Sequence, residues 1–145
     1  MFVPAPPRQS RRPQRHNAGR PGRSASGLFD VTLPTWRLGE VALYAASMAR
    51  QFGALQAEVI LVAEWTGLAG RQLTHLSGRR LVLEGHFSRQ DEYRTDLAYQ
   101  ADQINDSLPE IVHGALHSLY ELFDFFHLPM SLVTEELARL RASRF

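Results

Sequence analysis

The chain changes character at Gly27, and that break limits where a fold can form. Residues 1–27 carry six arginines, five prolines and no carboxylate. Residues 28–145 carry ten arginines against fifteen aspartates and glutamates. The formal charge of +1 is therefore the balance of +6 on an N-terminal arm and −5 on the body. Pro4, Pro6, Pro7, Pro13 and Pro21 remove backbone donors, and charge of one sign opposes collapse. The arm, residues 1–27, is expected to be disordered and dispensable for folding. Residues 28–145 are expected to form a single small domain, long enough to bury roughly two-thirds of the surface it exposes unfolded.

Composition excludes several classes of chemistry. There is no cysteine, which removes disulfides, thiolate zinc sites and thiol nucleophiles and suits a cytoplasmic protein. No stretch approaches the ~20 apolar residues needed to cross a bilayer, and the Arg-rich N-terminus lacks the apolar segment of a secretory signal. All sixteen basic residues are arginine. A GC-rich coding bias accounts for this, because lysine is missing from the acidic body as well as from the arm. With no lysine there is no phosphate-binding Walker motif.

Along the body, Leu28–Leu33 reads as a short extended lead-in stopped by Pro34. Thr35 is placed to cap a helix from Trp36 to about Phe52, with Leu38, Val41, Leu43, Tyr44, Ala45, Met48 and Phe52 near helical spacing. Gly53 stands at the expected stop. Glu58–Trp65 is nearly all apolar, as a strand covered on both faces would be. Strands over Arg71–Leu76 and Arg80–Phe87 flank a Ser77-Gly78 turn. Glu92–Ala101 alternates Tyr93, Thr95, Leu97 and Tyr99 with polar neighbours, the signature of an antiparallel strand with one wet face. Ser107 caps a long helix with Pro109 and Glu110 in its first turn. Its apolar stripe runs through Val112, Ala115, Leu116, Leu119, Leu122, Phe123 and Phe126. Thr134 opens a last short helix, where Glu135 and Glu136 early and Arg139 and Arg141 late match the dipole. The fold class is α+β: an antiparallel meander of three to four strands, with the N-terminal helix and the long C-terminal helix packed on one face.

Four groups of residues are candidates for function. Trp65, Gly67, Gly70 and Arg71 flank a tight turn where an indole and a guanidinium could meet a ligand or partner, or simply join two strands. Glu110, His113, His117 and Glu121 share one helical face, and histidines at i, i+4 can converge on a metal. Gly114 nevertheless stands where a zinc hydrolase places its general-base glutamate, and a solvated face opposite the apolar stripe accounts for the pattern. Glu84, His86, Asp91, Glu92, Arg94 and Asp96 form the densest polar cluster, suited to acid–base work if a pocket shifts their pKa values and otherwise a charged hairpin end. Arg8, Arg11, Arg12, Arg15, Arg20 and Arg23 can neutralise phosphates, giving weak, non-specific nucleic-acid binding without base stacking.

Three stretches, LPTWRLGEVALYAASMARQFG (Leu33–Gly53), EWTGLAGRQL (Glu64–Leu73) and DSLPEIVHGALHSLYELFDFF (Asp106–Phe126), resemble the region that follows the Schlafen-type, AlbA-like DNA-binding domain in bacterial transcriptional regulators. The resemblance implies a cytoplasmic, non-enzymatic accessory domain for sensing or self-association, with no cofactor, no metal and no catalytic residue. A homo-dimer is the implied partner. DNA would be reached through the arm or through the family's upstream domain, which these residues do not contain. The arm then stands as a replacement segment or as an out-of-frame start on a truncated gene. Two other classes remain open: a small metal- or acid–base-dependent enzyme, and a free-standing nucleic-acid binder acting through the arm.

Overall fold

A computed structural model describes residues 27–77, 79–124 and 127–144. Residues 1–26, with the six arm arginines, and Gly78 and Phe126 lie outside the described residues. The order is β1 (Leu28–Asp30), α1 (Thr32–Gln51), β2 (Glu58–Trp65), β3 (Gln72–Ser77), β4 (Arg79–Phe87), β5 (Tyr93–Gln100), α2 (Leu108–Glu121) and α3 (Met130–Arg144). The architecture is α+β, with helices beside small mixed and antiparallel sheets.

α1 begins one turn earlier than its sequence suggests. Asp30, not Thr35, caps it: Asp30 Oδ1 accepts the Thr32 backbone N–H at 2.8 Å and its hydroxyl at 2.9 Å. Pro34 is the third helical residue, where backbone N–H groups have no intrahelical acceptor and a proline costs little. Thr35 is buried inside the helix. At the far end Gly53 takes φ 65°. The bonds Gly53 N–H to Arg50 O and Ala54 N–H to Ala49 O close a Schellman motif, so the glycine stop stands.

The strands pair differently from a meander. β2 pairs antiparallel with β5 from Glu58↔Gln100 to Trp65↔Tyr93. β3 pairs antiparallel with β4, and β1 adds parallel to β3. Between the two sheets, Leu68 N–H donates to Asp91 O and Gly70 N–H to Ser88 O, while Ser88 N–H returns to Arg71 O. The strands β2 to β5 are thus the two arms of one long hairpin, kinked midway. Gly67 and Gly70, at φ 69° and 74°, bend the ribbon instead of reversing it.

Helices cover one side of the β2–β5 ribbon, α1 against β2 and α2 against β5. Val59, Leu61, Ala63 and Trp65 turn toward the core, while Ile60 and Val62 are exposed. β2 is therefore covered on one face, not two, because a single helical layer backs the ribbon. The wet face expected for β5 is present, with Arg94, Asp96 and Ala98 exposed.

α2 starts after Ser107 with Pro109 in its first turn, although the Ser107 side chain makes no capping bond. Its regular turns end at Glu121, short of the expected end. Phe123 follows, fully buried and stacked on Phe29 at 5.1 Å. α3 begins at Met130, a turn before Thr134, whose hydroxyl bonds back to Met130 O at 2.9 Å. One continuous core joins the three helices with Phe29, Leu61, Leu68 and Leu73.

Candidate functional site

The kink of the hairpin holds Trp65, Gly67, Gly70 and Arg71 together, and their polar groups serve the kink itself. Arg71 Nε donates to Gly67 O at 2.7 Å. Trp65 stacks on Tyr93 across the ribbon at 5.8 Å. Leu68 projects from the loop into the core and is fully buried. Asp91 closes the far side, its carboxylate accepting the Ala69 N–H at 3.2 Å.

The polar face of α2 is partly covered. His113 Nε2 donates to Leu128 O at 2.8 Å, tying the helix to the segment that leads into α3. His117 Nδ1 lies 3.2 Å from Glu121 Oε1, while Glu110 is exposed. The two imidazoles sit 6.0 Å apart at 55°. Among the described residues no three His, Cys, Asp or Glu side chains gather in a way that could hold a metal ion. A fully solvated face is thus not what α2 presents, because the Leu128 carbonyl reaches His113.

The cluster Glu84, His86, Asp91, Glu92, Arg94 and Asp96 is divided among three places. His86 Nδ1 donates to Phe123 O at 3.0 Å. Asp91 belongs to the kink. Arg94 and Asp96 stand on the wet face of β5, opposite Glu64 and Val62. Glu84 lies on β4 and Glu92 in the loop before β5.

Two buried polar centres escaped the sequence reading. Glu136 on α3, placed there as a dipole partner, is buried. It accepts Trp36 Nε1–H at 2.8 Å and Arg139 at 2.7 Å. Its partner on α1 lies one hundred positions away, so no local pattern announces the pair. Tyr120 on α2 is fully buried and donates to Val31 O at 2.5 Å. Burial and the nearby Asp30 carboxylate push its phenol far above the ordinary tyrosine range, with the Thr35 hydroxyl opposing them. Thr35 Oγ1 itself is buried without a well-formed hydrogen bond.

Among the described residues, α1 carries a bulky apolar surface that the core does not absorb. Its inward side is small: Gly39, Ala42 and Ala46 are buried beside Leu38 and Leu43. Its outward side is bulky. Leu33, Val41, Tyr44, Met48 and Phe52 are 53, 55, 64, 39 and 77% exposed. The spacing Val41, Tyr44, Met48 and Phe52 draws one stripe along the helix. A helix apolar on both faces is ordinarily covered on both. Behind it, Leu43, Ser47, Arg50, Asn105 and Arg141 line an open notch of about 380 Å³. Arg141 is held there by Asn105 O at 2.7 Å.

No family model, curated protein or solved structure matches the chain. No helix among the described residues is long and apolar enough to cross a membrane.

Proposed function

We propose that the body is a non-enzymatic accessory domain of a bacterial DNA-binding transcriptional regulator and that it works by association, not by bond chemistry. The observation that carries this reading is the second apolar face of α1. Apolar patches beyond a few hundred Å² are uncommon on a free monomer and mark surfaces where other molecules dock. The polar residues best suited to chemistry support it as well. Arg71, His86, Asp91, His113 and Glu136 each spend a hydrogen bond on their own chain. The three segments that resemble the regulators fall on α1, the kink and α2, the elements that build the core and present this face.

In this reading the setting is the cytoplasm. DNA contact belongs to the Arg-rich arm or to an upstream domain, because a body of formal charge −5 repels a polyanion at long range. Sedimentation of the purified full chain, with elemental analysis of the same sample, tests the proposal. Association at micromolar concentration without stoichiometric metal is the expected result. A monomer carrying one zinc, lost on mutating His113 or His117, would replace the association reading with a metal enzyme.

A further inference from the structure

We infer that a second copy of this chain covers the outward face of α1, the two helices lying antiparallel about a twofold axis that passes between Tyr44 and Ala45. The inference rests on the association reading above and names its partner and geometry.

The first ground is area. A large side chain offers on the order of 200 Å², so the exposed fractions of Leu33, Val41, Tyr44, Met48 and Phe52 leave roughly 500 Å² of apolar surface. Arg37, Glu40, Ser47 and Gln51 flank the stripe and bring the face near the ~800 Å² per partner of a specific interface. Twenty residues of α1 extend about 30 Å, enough to carry that area on one helix.

The second ground is how side-chain bulk is distributed. Gly39, Ala42 and Ala46 face the core while Val41, Tyr44, Met48 and Phe52 face away. A helix serving only its own core would place its larger side chains inward, where burial stabilises most. Here the small inward side lets α3 approach closely, and the larger apolar groups are left for a partner.

The third ground is self-complementarity. Twofold pairing about this axis sets Val41 against Met48 of the other copy, and Arg37 against Phe52. Apolar residues meet apolar residues, and each guanidinium lies over an aromatic ring, a favourable cation–π arrangement. Glu40 already pairs with Arg37 at 3.3 Å and stays at the rim. Arg37 is therefore not brought against a like charge. A C2 contact of this kind closes on itself and stops at two copies.

The absence of cysteine makes the test direct, since an introduced thiol has only introduced thiols to pair with. Disulfides need Cα atoms within about 7 Å. In the antiparallel pair two copies of residue 52 stand about 22 Å apart along the helix axis, while residue 37 faces residue 52. Full-length Arg37→Cys and Phe52→Cys chains, mixed and oxidised without denaturant, should give the mixed disulfide. Neither chain alone should cross-link efficiently.

In sedimentation the unmodified full chain should dimerise. Tyr44→Arg should weaken the dimer by about 30-fold or more, the usual loss at an interface hot spot, with an unchanged circular dichroism spectrum. Efficient self-cross-linking of Phe52→Cys would overturn the antiparallel register. A dimer indifferent to Tyr44→Arg would overturn the α1 interface while leaving association in place. A chain monomeric at every concentration would overturn both.

Discussion

α1 and α2 are apolar helices serving one core, and they divide their residues in opposite ways. α2 buries Leu108, Ile111, Val112, Ala115, Leu116, Leu119 and Tyr120 on one side. It leaves Glu110, Gly114, Ser118 and Glu121 exposed. α1 buries mainly small residues and exposes large apolar ones. The hydrophobic pattern of α2 is used up by folding, whereas that of α1 is only half used. Apolar periodicity in a helix therefore reports how much surface must be covered, not whether the same chain covers it.

The sharpest way to break that comparison is to truncate one phenylalanine at each helix end. Phe123, just past α2, is fully buried against Phe29. Phe123→Ala should cost about 3–5 kcal/mol, the range for a buried aromatic. Phe52, at the end of α1, is 77% exposed. Phe52→Ala should stay within about 0.5 kcal/mol, as surface changes do, when unfolding is followed at dilutions where copies are separate. Equal losses in urea melts would show that α1's outer stripe belongs to the monomer core.

The tyrosines extend the contrast into pH. Tyr120→Phe removes a buried hydroxyl donor from the Val31 carbonyl, which keeps its helical amide partner, and should cost about 0.5–1.5 kcal/mol at neutral pH. Tyr44→Phe, on the exposed face, should change neutral stability by less than about 0.5 kcal/mol. Because burial raises the native Tyr120 pKa, the native state keeps a proton that the unfolded chain releases near pH 10. The stabilisation is present in full below that pH. Above it stability falls, by at most about 1.4 kcal/mol per pH unit from this residue. Melts between about pH 8 and pH 11 should show a shallower decline in Tyr120→Phe than in the parent. An unchanged slope would mean that the phenol ionises in the native state.

Local chemistry made much of the fold legible, and long-range pairing did not. Glu58–Trp65 was readable as a strand from its composition, and β5 from its alternation. The end of α1 was readable at Gly53, because only a glycine relaxes readily at φ 65°. The start of α1 is not fixed by the sequence, because Pro34 reads equally as a strand stop and as a first-turn residue. Only the Asp30 cap decides between the two. Gly67 and Gly70 read as a tight turn joining strands, but a kink in a ribbon and a turn between neighbours use the same residues. Whether β2 pairs with β3 or β5 is settled by contacts across dozens of positions. The candidate polar residues were visible one by one. Their partners were main-chain carbonyls such as Gly67 O, Phe123 O and Leu128 O, which no motif encodes. The α1 stripe stands in the sequence too, as Val41, Tyr44, Met48 and Phe52 at helical spacing, but periodicity does not say which side faces inward.

Two glycines test the division of labour at the smallest scale. Gly39 sits on the inward side of α1, where a methyl group would lie 2.5 Å from Leu137 Cδ2 and 2.9 Å from Leu140 Cδ2 of α3. Gly114, in α2, has open space around the same position. Alanine gains helix propensity at both sites, worth about 1 kcal/mol. At Gly39 that gain is opposed by overpacking of about 1–3 kcal/mol, softened because leucine tips can rotate aside, so Gly39→Ala should lower stability by about 0–2 kcal/mol. Gly114→Ala should instead raise it by about 0.5–1 kcal/mol. Chemical melts of the two variants should therefore move in opposite directions. If Gly39→Ala also stabilised by the full propensity term, α1 and α3 would have room to spare. The small residues on α1's inner side would then not be explained by close approach of α3, and that support for a partner on its outer side would be lost.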